Sequence, residues 1–320
     1  MAFPNVTDIF ATTIAKRSKR IQDNVTKNNG LLTWIKESGN VRPVSGGEYI
    51  LEELSFQENG NAGWYSGYDT LHINASDVIS AAQYDWKQAA VPVVMSGLED
   101  LKNAGPEQMI DLMEGRMKVA ESTMMNLISE GMYSDGTNYG GKQIVGLDAA
   151  VPVTNTSGTY GGIDRASYSF WRTQKVSGTA YTAATIQGGM NDMWVKLVRG
   201  ADRPNLILSD NTMWSLYVNS LQLLQRFTSP QSANLGFSSI DFMGTPVVLD
   251  GGIGGFATTK TMYFLNTKYL HWRPSSRRNM VPLNPSKRYS VNQDAEVQIL
   301  AFAGNMTTSG SQFQGRLISN

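Results

Sequence analysis

Histidine and cysteine supply much of the catalytic and metal-binding chemistry of proteins, and this chain of 320 residues has little of either. It contains no cysteine and only two histidines, His72 and His271, about 200 residues apart. Disulfides, zinc–thiolate sites, iron–sulfur clusters and thiol nucleophiles are therefore excluded. A centre built on two distant histidines is not expected either. We predict a protein without a cofactor, a bound metal or catalytic activity.

Two glycine-rich segments approach phosphate-binding motifs without completing them. Residues 136–143 (GTNYGGKQ) have the spacing of a P-loop, but Gln143 stands where the magnesium-binding Ser or Thr belongs, and no helix is predicted to follow. Residues 252–257 (GIGGFA) lead into another predicted strand instead of a helix. Both segments are interpreted as turns. A nucleotide hydrolase that depends on Lys142 is the enzymatic alternative.

Carboxylates do not form a catalytic pair that the sequence can identify. Glu52 and Glu53 are adjacent, and adjacent side chains of a strand point to opposite faces of the sheet. This arrangement differs from the facing carboxylates of glycosidases. A serine-based triad is not expected either, because the sequence has no Gly-x-Ser-x-Gly turn and too few histidines to supply a base.

The charges sum to zero, yet they are unevenly distributed along the chain. Residues 51–135 carry a net charge of −10, whereas the segments before and after them are each basic. A neutral chain has no overall field that draws it to nucleic acid. Segregated charge instead favours contacts between identical copies, in which an acidic surface meets a basic one.

No membrane segment is predicted. The chain has no run of 18 apolar residues and no cationic N-terminal segment followed by an apolar one. We therefore expect a soluble protein.

The pattern of elements predicts an α+β fold. After Pro106, apolar residues at alternating spacings of three and four predict a long Met-rich helix over 106–132. Residues 190–273 alternate helices with strands, at 190–198, 206–208, 212–227, 246–249 and 262–265. Near the end, strands at 297–303 and 313–318 are predicted to pair antiparallel. A short amphipathic helix over 5–21 ends in basic residues.

Residues 41–86 predict a long hairpin. A first strand around residues 49–51 and a second around Trp64, Tyr65 and Tyr68 flank a turn at 59–63 (NGNAG). Such a hairpin is too long and too glycine-rich to hold a core of its own, so it must lie against another surface.

This order of parts resembles the major capsid protein of tailed bacteriophages, which has the Hong Kong 97-type fold. Five segments carry the resemblance: 134–137 (SDGT) with 146–147 (GL), 205–214 (NLILSDNTMW), 242–248 (FMGTPVV), 294–302 (DAEVQILAF), and 161–165 (GGIDR) with Tyr168 and Trp171. The resemblance extends over nearly the whole chain.

The resemblance implies five regions. They are an N-terminal arm (1–40), an extended β-hairpin loop (41–91), a peripheral domain (92–189) with its spine helix at 106–132, an axial domain (190–273) and a return to the peripheral domain (274–320).

The resemblance also implies the role of a shell subunit. Pentamers and hexamers of the chain would tile an icosahedral capsid around packaged double-stranded DNA, in a virion assembled in the host bacterial cytoplasm. It implies a separate scaffolding protein, a portal and a cement protein as partners. An encapsulin-like nanocompartment shell shares the fold and is the alternative.

Contacts between subunits are assigned to the hairpin and to the basic segments. The predicted contact residues are Glu52, Glu53, Phe56, Glu58, Trp64, Tyr65, Arg17, Arg20, Arg277 and Arg278.

Overall fold

A computed structural model of the chain describes residues 27, 30–102, 112–178, 180–221, 239–252, 254–283, 288–290 and 293–320. These residues belong to two compact units. The larger unit includes 30–88, 128–178, 180–221, 239–252, 254–279 and 303–320, and the smaller includes 89–102, 112–127, 280–283, 288–290 and 293–302. The predicted arm helix over 5–21, with Arg17 and Arg20, lies outside the described residues.

The regular elements are as follows. The longer helices are α1 (Gly30–Glu37), α2 (Gly97–Lys102), α3 (Leu112–Tyr133), α4 (Ile186–Leu197) and α5 (Asn211–Ser220), and two helices of four residues lie at Asn138–Gly141 and Leu147–Ala150. The strands are β1 (Ile50–Ser55), β2 (Ile79–Tyr84), β3 (Lys87–Ser96), β4 (Thr159–Tyr160), β5 (Ile163–Asp164), β6 (Gln174–Gly178), β7 (Leu206–Ser209), β8 (Ser239–Phe242), β9 (Thr245–Leu249), β10 (Thr261–Leu265), β11 (Leu270–Pro274), β12 (Val281–Pro282), β13 (Arg288–Ser290), β14 (Gln293–Thr308) and β15 (Gly315–Ser319).

A six-stranded mixed sheet in the order β6-β15-β10-β7-β9-β8 forms the core of the larger unit. Its central strands β7 and β10 are buried along their whole length, as expected for continuous apolar runs covered on both faces. Helix α4 packs its buried face on this sheet, through Ile186, Met190, Met193, Trp194 and Leu197. The helices and strands predicted over 190–273 are confirmed, except that the second helix ends at Ser220 and not at the predicted Phe227, which lies outside the described residues.

The pairing predicted for the last strands is wrong. Strand β15 does not pair with 297–303. It lies between β6, to which it is parallel, and β10, to which it is antiparallel. The segment 297–303 belongs instead to β14, a strand of 16 residues. Two strands that are near in sequence suggest a hairpin, but Leu317 of β15 is buried in the core that α4, β7 and β10 form.

Helix α3 confirms the predicted long helix over the part that is described. Its buried positions Ala120, Met124, Ile128 and Met132 recur every four residues. Where α3 ends, Gly146 lies against its last turn: a Cβ at this position would collide with the Gly131 carbonyl oxygen. The segment 106–111 lies outside the described residues.

In the smaller unit, β3, β12 and β13 pair with the first part of β14. Helix α2 begins directly after β3. Arg116 of α3 makes a bidentate ion pair with Glu99 of α2, with both nitrogen–oxygen distances 3.0 Å, and it also donates to the Val94 carbonyl at 2.6 Å. The Arg116 guanidinium holds the pKa of the Glu99 carboxyl below its usual value.

The hairpin differs from the prediction in the position of its second strand. Strand β1 pairs antiparallel with β2, from Ile50 opposite Tyr84 to Ser55 opposite Ile79. The predicted second strand around Trp64 and Tyr68 is wrong, because residues 56–78 form a long loop between the two strands. The run of aromatic residues suggested a strand, but β1 pairs with β2 instead, where the buried Ile50 of β1 lies opposite the buried Tyr84 of β2.

Candidate subunit interface

The loop 56–78 exposes an unusual amount of apolar surface. Every residue of this loop is described, and none lies in a helix or a strand. Trp64 and Tyr68 are fully exposed, and Ile73 is 90% exposed. Tyr65 and Leu71 are also largely exposed. Several large apolar side chains exposed in one loop are typical of a surface that contacts another molecule, since water disfavours them.

The loop is held in shape by polar contacts within it. Asn61 bridges its two arms: its side-chain nitrogen donates to the Asn74 carbonyl at 2.6 Å, and its side-chain oxygen accepts from the Asn74 amide at 3.3 Å. Nearer the tip, the Ser66 amide donates to Asp69 at 2.7 Å. These bonds lower the number of conformations open to the loop, which reduces the entropy that binding must overcome.

The three acidic residues predicted to contact a neighbouring subunit differ in their exposure. Strand β1 alternates buried and exposed positions, so Glu52 is buried while Glu53 is exposed. Glu58 lies exposed in the loop. Neither Glu53 nor Glu58 makes an ion pair with any residue that the structure describes. Both carboxylates are therefore available to a cation on another molecule.

Glu52 is engaged within its own chain. Its Oε1 lies 2.5 Å from Nη2 and 2.6 Å from Nε of Arg273, and it accepts a hydrogen bond from the Thr307 hydroxyl at 2.7 Å. The placement of Glu52 in an intersubunit contact stays a prediction, and within the chain its carboxylate already has partners. A carboxylate that points into the chain satisfies its charge there, because a buried unpaired charge is costly.

Phe56 is half-buried, and its ring lies 5.7 Å from that of Phe170. Two clefts of about 280 Å³ each flank this aromatic pair. The lining of the first includes the aromatic residues Phe170, Trp171, Tyr269 and Phe313 and the charged residues Glu53 and Arg199. The second includes Phe56, Gln83, Gly161, Gly162, Tyr168 and Phe170.

The first cleft has a stacked wall. Tyr269 and Phe313 stack at 4.5 Å, and the Arg199 guanidinium lies 4.3 Å from the centre of the Phe313 ring. Arg199 also pairs with Asp202 at 3.0 Å, and Lys268 and Tyr269 contact the same carboxylate. Hydrogen bonds from Tyr269, Arg199 and Lys268 lower the pKa of Asp202 to about 2.

The basic residues Arg277 and Arg278 follow β11 and are exposed. Neither forms an ion pair within the described ranges of the chain. Of the four basic residues predicted to contact another subunit, these two are described, whereas Arg17 and Arg20 lie outside the described ranges.

His271 is buried in β11, beside the Glu52–Arg273 pair. Burial, together with the positive charges of Arg42 and Arg273, lowers its pKa to about 4 against the opposing effect of Glu52. His271 is therefore neutral near pH 7. The described residues contain no group of three or more potential metal ligands.

The two glycine-rich segments are turns where the structure describes them. Tyr139, Gly140 and Gly141 have positive φ values, and Lys142 is exposed. Gly252 and Gly254 also have positive φ, in the connection between β9 and β10. Among the described helices, none has the length and apolar character needed to cross a bilayer.

No family model matches the sequence, and no curated protein sequence is significantly similar to it. Solved structures are similar over nearly the whole chain. A chain of the cyanophage A-1(L) capsid asymmetric unit is 16% identical, with a TM-score of 0.68 over 95% of this chain and 96% of that one. A chain of the capsid of Myoviridae phage XM1 is 10% identical, with a TM-score of 0.57 over 100% and 99%.

The holo-SrpI encapsulin complex from Synechococcus elongatus PCC 7942 also contains a similar chain. It is 7% identical, with a TM-score of 0.57 over 99% of this chain and 96% of that one. The predicted resemblance is thus confirmed for the fold: the chain has the α+β fold of tailed-phage capsid chains. The encapsulin likeness shows that this fold is shared by more than one kind of particle.

Proposed function

We propose that this chain is the structural subunit of an icosahedral bacteriophage capsid, in which pentamers and hexamers enclose double-stranded DNA. The exposed loop 56–78 carries the proposal, because its apolar residues can leave water only by covering another molecule. The full-length likeness to phage capsid chains supports an identical copy as that molecule. The chain then acts by assembly and performs no reaction.

Opposite charges complete the proposed contact. Glu53 and Glu58 of one copy meet basic residues of its neighbours, with Arg277 and Arg278 as the described candidates. Arg17 and Arg20 belong to the same proposal. Reversing both glutamates to Lys is expected to prevent assembly, and the additional changes Arg277→Glu and Arg278→Glu are expected to restore it. A double reversal that assembles like the unchanged chain would show that these glutamates meet no cation.

The remaining partners follow from the same role. A scaffolding protein, a portal and a cement protein would act with the shell, and the inner face would meet packaged DNA without sequence preference. The virion would be its location and the host bacterial cytoplasm its place of assembly. The five predicted regions, including the arm over 1–40, remain the proposed domain organisation.

Electron micrographs and sedimentation of the purified chain test the proposal, with and without a co-expressed scaffold. Closed, uniform particles are expected. A variant with residues 58–65 deleted should remain folded but unassembled, while the variant Gly60→Ser, Gly63→Ser keeps the length of the loop, its aromatic residues and Asn61 as a control. Monomers under all of these conditions would overturn the proposal, as would normal particles from the deletion variant.

An encapsulin-like nanocompartment shell is the second candidate, and the likeness to the SrpI encapsulin chain favours it. The contents of particles purified from the natural source discriminate between the two. Packaged DNA supports a capsid, whereas an enclosed cargo enzyme without DNA supports a nanocompartment.

A further inference from the structure

The base of the hairpin is joined to the rest of the larger unit by buried polar side chains. Asn305, Thr307 and Thr308 at the end of β14 are each at most 1% exposed. Each of them binds the hairpin or the residue that follows it. This differs from the six-stranded sheet, whose core is apolar. Hydrogen bonds depend on direction, whereas apolar contacts do not.

Strand β1 is anchored by Glu52. The carboxylate of Glu52 receives Arg273 from β11 and the hydroxyl of Thr307 from β14, at 2.5 to 2.7 Å. One oxygen atom therefore joins three strands. Ala82, the residue opposite Glu52 in the hairpin, is fully buried, so this position lies on the inner face.

Strand β2 is anchored next to it by Tyr84. The Tyr84 hydroxyl donates to the Thr308 carbonyl at 2.8 Å and accepts from the Thr308 amide at 3.2 Å. At Asp85, the residue after Tyr84, the backbone carbonyl accepts a hydrogen bond from the Asn305 side chain at 2.9 Å. Both strands of the hairpin are thus fixed to neighbouring residues of the same strand, β14.

The two anchors lie at neighbouring positions on the two strands and, together with the Asn305–Asp85 hydrogen bond, they define an orientation of the hairpin. We infer that Glu52 and Tyr84 are positioning residues, which set the direction in which the hairpin carries the loop 56–78 to a neighbouring copy. The inference rests on the proposed function for its purpose, but the orientation itself belongs to the single chain.

The test replaces the directional bonds with apolar contacts of similar size. The triple variant Glu52→Leu, Arg273→Met, Thr307→Val removes the β1 anchor without leaving a buried charge, and such replacements often preserve or raise stability. The variant Tyr84→Phe removes only the second anchor. Because the chain has no cysteine, Ser80→Cys on β2 and Asn191→Cys on α4, both exposed, provide sites for a pair of nitroxide labels.

The distance distribution between the labels is measured on unassembled chains. We expect a narrow distribution for the unchanged chain, a broad or displaced one for the triple variant, and a smaller broadening for Tyr84→Phe. Glu52→Gln keeps the oxygen that accepts both hydrogen bonds and should therefore keep the narrow distribution. Glu53→Gln, the neighbouring carboxylate on the exposed face, is the matched control and should leave it unchanged.

Assembly is the second measurement, and it separates this inference from the proposed function. Loss of closed particles in the triple variant, with thermal unfolding unchanged, supports the inference. A triple variant that keeps the narrow distribution overturns it, whether or not particles form. If the triple variant does not fold, an unchanged distribution in Tyr84→Phe overturns it equally. Absence of particles from the unchanged chain counts against the proposed function alone.

Discussion

Two tryptophans with opposite surroundings provide the sharpest prediction. Trp64 is fully exposed in the loop, so Trp64→Ala should change the free energy of unfolding by no more than about 0.5 kcal/mol. Trp171 is 1% exposed, packs on Tyr160, and donates its indole N–H to the Tyr160 carbonyl at 2.8 Å. Trp171→Ala should therefore cost about 3–5 kcal/mol of stability.

Trp64→Ala should have its main effect on assembly and not on the stability of the single chain. A buried aromatic side chain removes about 150–250 Å² from water, which corresponds to about 4–6 kcal/mol at about 25 cal/mol per Å². Ordering the contact offsets part of this gain, so the loss on truncation should be about 2–4 kcal/mol per contact. Each contact is then weakened about 30- to 700-fold.

Urea unfolding of the unassembled chains measures the first effect, and light scattering against protein concentration measures the second. Trp64→Ala should unfold like the unchanged chain and require a much higher concentration to form particles. Trp64→Tyr should recover part of the assembly. A Trp64→Ala chain that assembles at the normal concentration would refute the assignment of the loop to a subunit contact.

Three further predictions concern the unassembled chain. Gly146→Ala should lose about 1–3 kcal/mol in urea unfolding, because its Cβ would collide with the end of α3, whereas Gly188→Ala in α4 meets no atom within 4 Å and should gain about 0.5–1 kcal/mol. Burial lowers the pKa of His271 to about 4, so stability should fall as the pH drops from about 6.5 toward 4, and His271→Gln should remove that part of the fall in acid-unfolding curves. The pKa of Asp202 is lowered to about 2, so its contribution is present above the usual value near 3.8 and is lost as the pH falls toward 2; an Asp202→Asn chain whose stability between pH 4 and 2 follows that of the unchanged chain would contradict this.

The elements that the sequence predicts well are those whose burial follows a local period. Helix α3 repeats a buried residue every four positions, and β7 and β10 are short apolar runs between polar ones. Such patterns depend only on neighbours in sequence. The resemblance to phage capsid proteins used the same local segments and their order, and the fold agrees with it.

Pairing between distant strands was predicted poorly, since alternation identifies a strand but not its partner. The partner of β1 was placed near Trp64, although the pairing strand is β2, and β15 was assigned to 297–303. In both cases the predicted partner is a segment nearer in sequence than the observed one. The observed pairs are stabilised by side chains from remote parts of the chain, and a local sequence pattern contains no information about them.

The candidate interface was only partly predictable. The exposed Trp64 and Tyr65 were identified from aromatic residues in a glycine-rich segment. Leu71 and Ile73 are not among the predicted contact residues. Their lack of a helical or strand period could have indicated that they lie in a loop and are exposed. Glu52 could not be told from Glu53, because the alternation of a strand places one of them inside without saying which.

The position of β15 between β6 and β10 has a consequence for folding kinetics. Its partner residues in β6 are about 140 residues earlier in the chain, so the sheet closes by a contact between segments that are far apart in sequence. Contacts of this kind form slowly. Until β15 inserts, β6 and β10 both present open edges, and the same strand from another copy can fill that gap. Domain-swapped aggregates joined through residues 315–319 are therefore the expected by-product when the chain is produced rapidly.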